Sequence, residues 1–211
     1  MVRISGGELC GRHLVTPKGL RVRPTGERVR QAMFNMVQDR LAGCRVLDLF
    51  AGSGLLGIEA LSRGAATAVF VEKVPDLVRL IRGNLNKSGL GERGEVVCAS
   101  VSAPYTFGVA ANLAEAARFD LVLMDPPYGQ GLAAAVLQEM TWSWLLRPDA
   151  LVIVEHAATT DLLPECRGLR IWKQRRYGGT GVTLFQWDPS IDNNSRLNAN
   201  HETDCCLSRD F

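Results

Sequence analysis

From Cys44 onward the chain alternates short, continuously apolar runs with helix-spaced stretches, and this alternation constrains its fold more than any other feature. Apolar runs at 45–50, 67–71, 95–98, 119–124 and 150–154 read as strands. Between them, 55–63, 75–88, 112–118, 132–146 and, more weakly, 160–165 carry helical spacing, with Gly64, Gly89 and Pro148 as stops. Strands apolar on both faces, alternating with helices, require a mostly parallel sheet covered on each side. The runs 170–176 and 182–187 flank Gly178-Gly179 and read as a closing antiparallel hairpin. The expectation is an α/β, Rossmann-like fold with a seven-stranded, mostly parallel sheet.

The ends of the chain differ from this middle. Residues 1–24 read as a small β-hairpin arm broken by Gly6-Gly7, Gly11 and Pro17, and 25–187 as the main domain. The domain opens on a helix with Thr25 as N-cap and Glu27 in its first turn, continued by Val29, Met33, Met36, Val37 and Leu41. Residues 188–211 are acidic and poor in large apolar side chains, which reads as a disordered tail. The amino terminus has no signal-like apolar stretch and no run is long enough to span a bilayer, so a cytoplasmic location is expected. Six cysteines form no C-x-x-C pair and join no histidine cluster, so no metal site is expected.

Charge is unevenly spread. Residues 1–40 hold eight Lys/Arg against Glu8, Glu27 and Asp39. A second basic run, Arg167, Arg170, Lys173, Arg175 and Arg176, meets no acid between Cys166 and Trp187. Two positive segments on a nearly neutral chain point to a polyanion, although solvated basic surfaces look the same in sequence.

Three carboxylates, Asp48, Glu72 and Asp125, fall at or beside the carboxyl ends of predicted strands, the edge where open α/β sheets bind ligands. Asp48 precedes a glycine turn, Ala51-Gly52-Ser53-Gly54, that allows close backbone approach and opens a helix with free N–H groups. Glu72, twenty residues after Gly52, can accept both hydroxyl protons of a ribose. A nicotinamide dinucleotide fits this spacing too. Two features favour a cationic methyl donor instead: Asp48 would repel a pyrophosphate, and Asp125-Pro126-Pro127-Tyr128 has no role in hydride transfer.

That tetrapeptide is the most specific signal. Its prolines cannot continue a ladder and hold the backbone in a stiff extended path, exposing carbonyls beside the Asp125 carboxylate. A nucleobase amine is a poor nucleophile because its lone pair is delocalised. Acceptors on its N–H groups orient it and stabilise the charge that develops during attack. Tyr128 can stack on a base displaced from its helix. The bland alternative is a proline turn capping a strand.

On these residues the chain resembles the RsmD family, the bacterial 16S ribosomal RNA guanine-N2 methyltransferases of class I fold. Gly11-Arg12, Arg23-Pro24-Thr25, Arg28-Val29-Arg30 and Phe34-Asn35 are similar to its amino-terminal signature. Asp48 to Gly57, Val71-Glu72-Lys73, Asp125 to Tyr128, Glu155-His156 and Tyr177-Gly178 with Thr180 are similar to its later blocks. The resemblance implies that Asp48, Ala51, Gly52, Gly54, Glu72 and Lys73 hold S-adenosyl-L-methionine, and that Asp125, Pro126, Pro127 and Tyr128 hold the target guanine. It also implies that the arm grips 16S rRNA in the assembling 30S subunit, with Arg12, Arg23, Arg28 and Arg30 as the candidates. Each arginine could equally be paired to Glu27 or Asp39 on the surface. Where many class I enzymes have an aspartate after the third strand, this chain has Cys98-Ala99-Ser100, leaving Ser100 and backbone to meet the adenine. A monomer is expected. DNA adenine-N6 methylation and a non-catalytic RNA-binding assembly role are the competing readings.

Overall fold

The computed structural model describes residues 2–17, 26–101, 118–129, 131–140 and 142–191. Strands β1 (Val2–Arg3) and β2 (His13–Leu14) pair antiparallel as the arm. The main sheet holds β3 (Arg45–Leu49), β4 (Thr67–Glu72), β5 (Gly94–Cys98), β6 (Phe119–Met124), β7 (Leu146–Ala157), β8 (Glu165–Cys166), β9 (Leu169–Tyr177) and β10 (Thr180–Trp187). Its order is β5-β4-β3-β6-β7-β10-β9-β8. The first four neighbouring pairs are parallel and the last three antiparallel. The expected architecture therefore holds, with the two-residue β8 added as an eighth strand.

Both sheet faces are covered, which explains why the strands read as unbroken apolar runs. Val46, Leu121, Leu123, Ile153, Val182 and Leu184 face helices α1 (Glu27–Met36), α2 (Leu55–Ser62) and α3 (Pro75–Lys87), together with Ile4 and Leu14 of the arm. Leu47, Val122, Met124, Val152, Val154 and Phe185 face α4 (Leu132–Glu139) and α5 (Trp142–Leu145). Each fully buried side chain of this kind stabilises the fold by about 1.5–3 kcal/mol relative to exposure.

Local signals explain most boundaries. α3 begins with Pro75 at its first turn and buries Leu77, Val78, Ile81, Asn84 and Leu85 at helical spacing. α1 starts at Glu27 with Gly26 before it and no side-chain cap. Thr25, Arg23 and the expected helix at 112–118 lie, Arg118 apart, outside the described residues, as does the tail from 192.

Two expectations are corrected. The continuous helix over 132–146 is broken at Met140, whose backbone is extended, and β7 begins already at Leu146. The Trp142 indole donates to the Leu137 carbonyl at 3.1 Å, closing α4 with a side chain that propensity alone would have continued the helix through. Residues 160–165 form no helix; Leu162 is buried and the segment runs into β8. Among the described residues no helix is long and apolar enough to cross a membrane.

The arm is pinned to the sheet by buried polar contacts. Asn84 on α3 accepts from Val15 N and donates to the Val15 and Ser53 carbonyls at 3.0–3.1 Å, tying arm, helix and glycine turn together.

Candidate active site

Register brings the strand ends to one level. Leu49 pairs with Val71 on one side and Met124 on the other, and Met124 pairs with Val154. The next residues, Phe50, Glu72, Asp125 and Glu155, therefore stand at one level along this edge, Phe50 and Asp125 just past their strands and Glu72 and Glu155 still within theirs. All four line a cavity of about 600 Å³ at this edge. Gly52, Lys73, Ser100, Pro126, Pro127 and Tyr128 line it as well.

The turn after β3 is held by its neighbours. Phe50 has φ +62°, a conformation costly for a bulky residue and retained here at the cavity wall. Gly52 (φ +57°) donates its N–H to Glu72 Oε2 at 2.9 Å, while Val74 N donates to Glu72 Oε1 at 2.9 Å. Glu72 is thus buried and fixed by backbone amides, with lone pairs left for hydroxyls. Gly54 (φ +78°) precedes α2, and a Cβ there would sit 3.0 Å from Ile81.

Asp48 behaves differently from its expected role. It is 1% exposed, does not line the cavity, and accepts the Gly57 N–H at 2.9 Å, bracing the first turn of α2 from beneath. Burial pushes its carboxyl up to about 8; the Gly57 bond opposes this, and the charges of Asp125 and Glu72 add to it. Ala51 and Gly54 also shape the turn without lining the cavity.

The opposite wall is built from three elements. Tyr128 is 42% exposed, yet its hydroxyl donates to Glu155 Oε1 at 2.9 Å and lies 3.4 Å from Thr180 Oγ1. Burial of that hydroxyl end pushes its pKa up to about 12, with Thr180 opposing and Glu155 adding. Behind this wall His156 is held neutral-leaning by burial, with Nε2 2.8 Å from Thr183 Oγ1. A Cβ at Gly181 would meet its ring at 2.4 Å, so the strand needs glycine there.

Glu155 and Thr180 carried no assigned role in the sequence reading, although both stand in blocks that resemble the RsmD family. A glutamate inside the apolar run Val-Ile-Val-Glu-His is the available signal, since a buried acid needs a partner.

The expected RNA-contact arginines divide. Arg12 and Arg28 are exposed, Arg12 donating to the Lys87 carbonyl at 3.1 Å. Arg30 is corrected: it is 2% exposed, its Nε donates to Glu59 Oε2 at 2.9 Å and its guanidinium reaches the Arg3 carbonyl at 2.7 Å. Helical spacing puts it on the inner face of α1 with Met33 and Phe34, where it holds arm to core instead of facing solvent.

A sheet of this order, with a glycine turn and an Asp-Pro-Pro-Tyr corner opening on one cavity, defines a Rossmann-like methyltransferase. The comparisons agree. The chain resembles Ribosomal RNA small subunit methyltransferase D of Escherichia coli K12, with 30% identity over 88% of this chain and 89% of the relative. It also resembles the solved structure of a protein from Thermus thermophilus, with 36% identity, 87% and 98% coverage and a TM-score of 0.71. The fold is shared with an RNA methyltransferase from Salinibacter ruber solved with S-adenosyl-L-homocysteine, at 18% identity, 79% and 94% coverage and a TM-score of 0.56. Residues 2–186 match the family described as Conserved hypothetical protein 95, and the chain belongs to this family, that of RsmD.

Proposed function

We propose that this chain transfers a methyl group from S-adenosyl-L-methionine to the exocyclic N2 of a guanine in 16S rRNA of the assembling small subunit, acting as a cytoplasmic monomer. One observation carries the reading: the Asp125–Tyr128 corner lines the same cavity as Gly52 and Glu72. The cavity residues suit the donor. Glu72, Asp125 and Glu155 line it, and Lys73 is the one cation among the described lining residues, which matches a positively charged ligand better than a pyrophosphate.

Bound S-adenosyl-L-methionine supplies an electrophilic methyl carbon on a cationic sulfur. Glu72 would accept the ribose hydroxyls, Gly52 would give close backbone approach, and Ser100 with its neighbouring backbone would meet the adenine. Asp125 and the carbonyl before the second proline accept the N–H groups of the guanine amine, orient its nitrogen and favour its pyramidal form. Asp125 can also receive the proton that the methylated nitrogen sheds. Tyr128, anchored through its hydroxyl, offers its ring to the base. The arm, through Arg12, Arg23 and Arg28, would contact rRNA phosphates.

Incubation with tritiated S-adenosyl-L-methionine and small-subunit particles or 16S rRNA, followed by nucleoside analysis, tests this. Label is expected in N2-methylguanosine. Label confined to N6-methyladenosine overturns the base assignment, and methylation of duplex DNA but not RNA overturns the substrate.

A further inference from the structure

The basic run after Cys166 has no part in the cavity, and its register in the sheet gives it a use. β9 pairs with β10 along one edge; beyond Ile171, whose N–H donates to the Pro164 carbonyl at 2.9 Å, its other edge has no partner among the described strands. Arg175 stands opposite Val182, Lys173 opposite Leu184 and Arg170 opposite Gln186. Val182 and Leu184 pack into the core on the side of α1 and α2, so these three cations share that sheet face. Arg28 is exposed on α1 itself. Arg28 of the first basic segment and Arg170, Lys173 and Arg175 of the second therefore fall on one side of the sheet.

That side leads to the cavity. Tyr177 packs against the same core and lines the cavity. Along the strand, Arg175 lies about 7 Å and Lys173 about 13 Å from Tyr177. Trp172 is 47% exposed beside the irregularity in the β9–β10 ladder, with Lys173 Nζ 6.0 Å from its ring centroid. Arg170 meets Glu165 at 3.5 Å; among the described residues Lys173 and Arg175 form no ion pair, and Arg175 donates only to the Gln174 carbonyl.

The geometry points to β9 as a second grip on RNA, in which Lys173 and Arg175 hold phosphates flanking the base in the cavity and Trp172 stacks on an unpaired neighbour. This rests on the rRNA reading above. Cations interleaved with an exposed aromatic suit a single-stranded polyanion. A charged edge also protects a sheet from pairing with another chain, but that task is met by charge of either sign.

Charge reversal separates the two uses. In filter binding of 16S rRNA by the full chain, Lys173→Glu with Arg175→Glu should weaken affinity by about 30-fold or more near physiological salt. The neutral pair Lys173→Gln with Arg175→Gln should flatten the slope of log K against log salt by about 1.5. Trp172→Ala should lower affinity by roughly tenfold. Calorimetry with S-adenosyl-L-homocysteine should give unchanged affinity, showing that the variants fold. Wild-type affinity and slope in the reversed and neutral variants overturn the inference while leaving methyl transfer intact. If the unaltered protein neither binds nor methylates rRNA, both readings fall.

Discussion

Glu59 and Glu72 are both buried, 0% and 7% exposed, yet their partners differ in kind. Glu59 on α2 faces two guanidiniums, Arg30 and Arg63, each at 2.9 Å, together with the backbone and hydroxyl of Ser5. Glu72 is held by two backbone N–H groups at 2.9 Å and forms no ion pair among the described residues. A carboxylate met by arginine has its charge cancelled and fastens the fold. One held only by backbone amides has no countercharge beside it and keeps lone pairs for a further hydrogen-bond donor. The difference marks Glu59 as the bolt between arm and domain, and Glu72 as a carboxylate without an ion pair at the wall of the cavity.

The largest effect should come from the bolt. Arg30→Ala leaves Glu59 buried with one guanidinium fewer and should cost about 3–5 kcal/mol in urea unfolding. A cost below about 1 kcal/mol would show that the pair is not structural. Glu72→Ala should instead act on the donor, weakening its affinity by roughly 10- to 100-fold in calorimetry, the loss of charge-assisted hydrogen bonds. An unchanged affinity would erase the contrast between the two glutamates.

Asp48 sharpens the comparison through pH. In the folded chain its carboxyl stays protonated up to about 8, whereas in the unfolded chain it ionises near pH 4, at about 3.9. Between those values the native state holds the extra proton, so stability falls as pH rises, at a limiting slope of about 1.4 kcal/mol per pH unit. Asp48→Asn should flatten that fall in urea midpoints taken from pH 5 to 8. Parallel curves for the two proteins would mean that Asp48 is ionised in the fold. The smallest effect belongs to Tyr128→Phe, which loses the bond to Glu155 but keeps the ring. KM for RNA should rise by about three- to tenfold, the worth of one hydrogen bond of about 0.5–1.5 kcal/mol, with donor affinity unchanged.

Much of this was legible in the sequence because it depends on local order. Apolar runs such as 119–124 gave strand ends directly, and parallel pairing then aligned Glu72 and Asp125 without further information. The long-range contacts were not legible. Arg30 reads as a surface cation until α1 is set against α2, where Glu59 waits. Asp48 reads as a ligand for the donor, yet strand alternation turns it beneath the turn toward Gly57. Glu155 reaches Tyr128 because β7 lies parallel beside β6, and Thr180 because β10 returns antiparallel beside β7. The break at Met140 depends on an indole folding back onto Leu137, which helical spacing cannot register.

The central claim is that the Asp125 corner acts on the nucleobase amine while donor binding resides across the cavity. Single-turnover methyl transfer to small-subunit rRNA by Asp125→Ala, at saturating S-adenosyl-L-methionine, tests it most directly. The account predicts a rate lower by about 10²- to 10³-fold with the donor dissociation constant unchanged. A full rate, or a loss explained wholly by weaker donor binding, would contradict it.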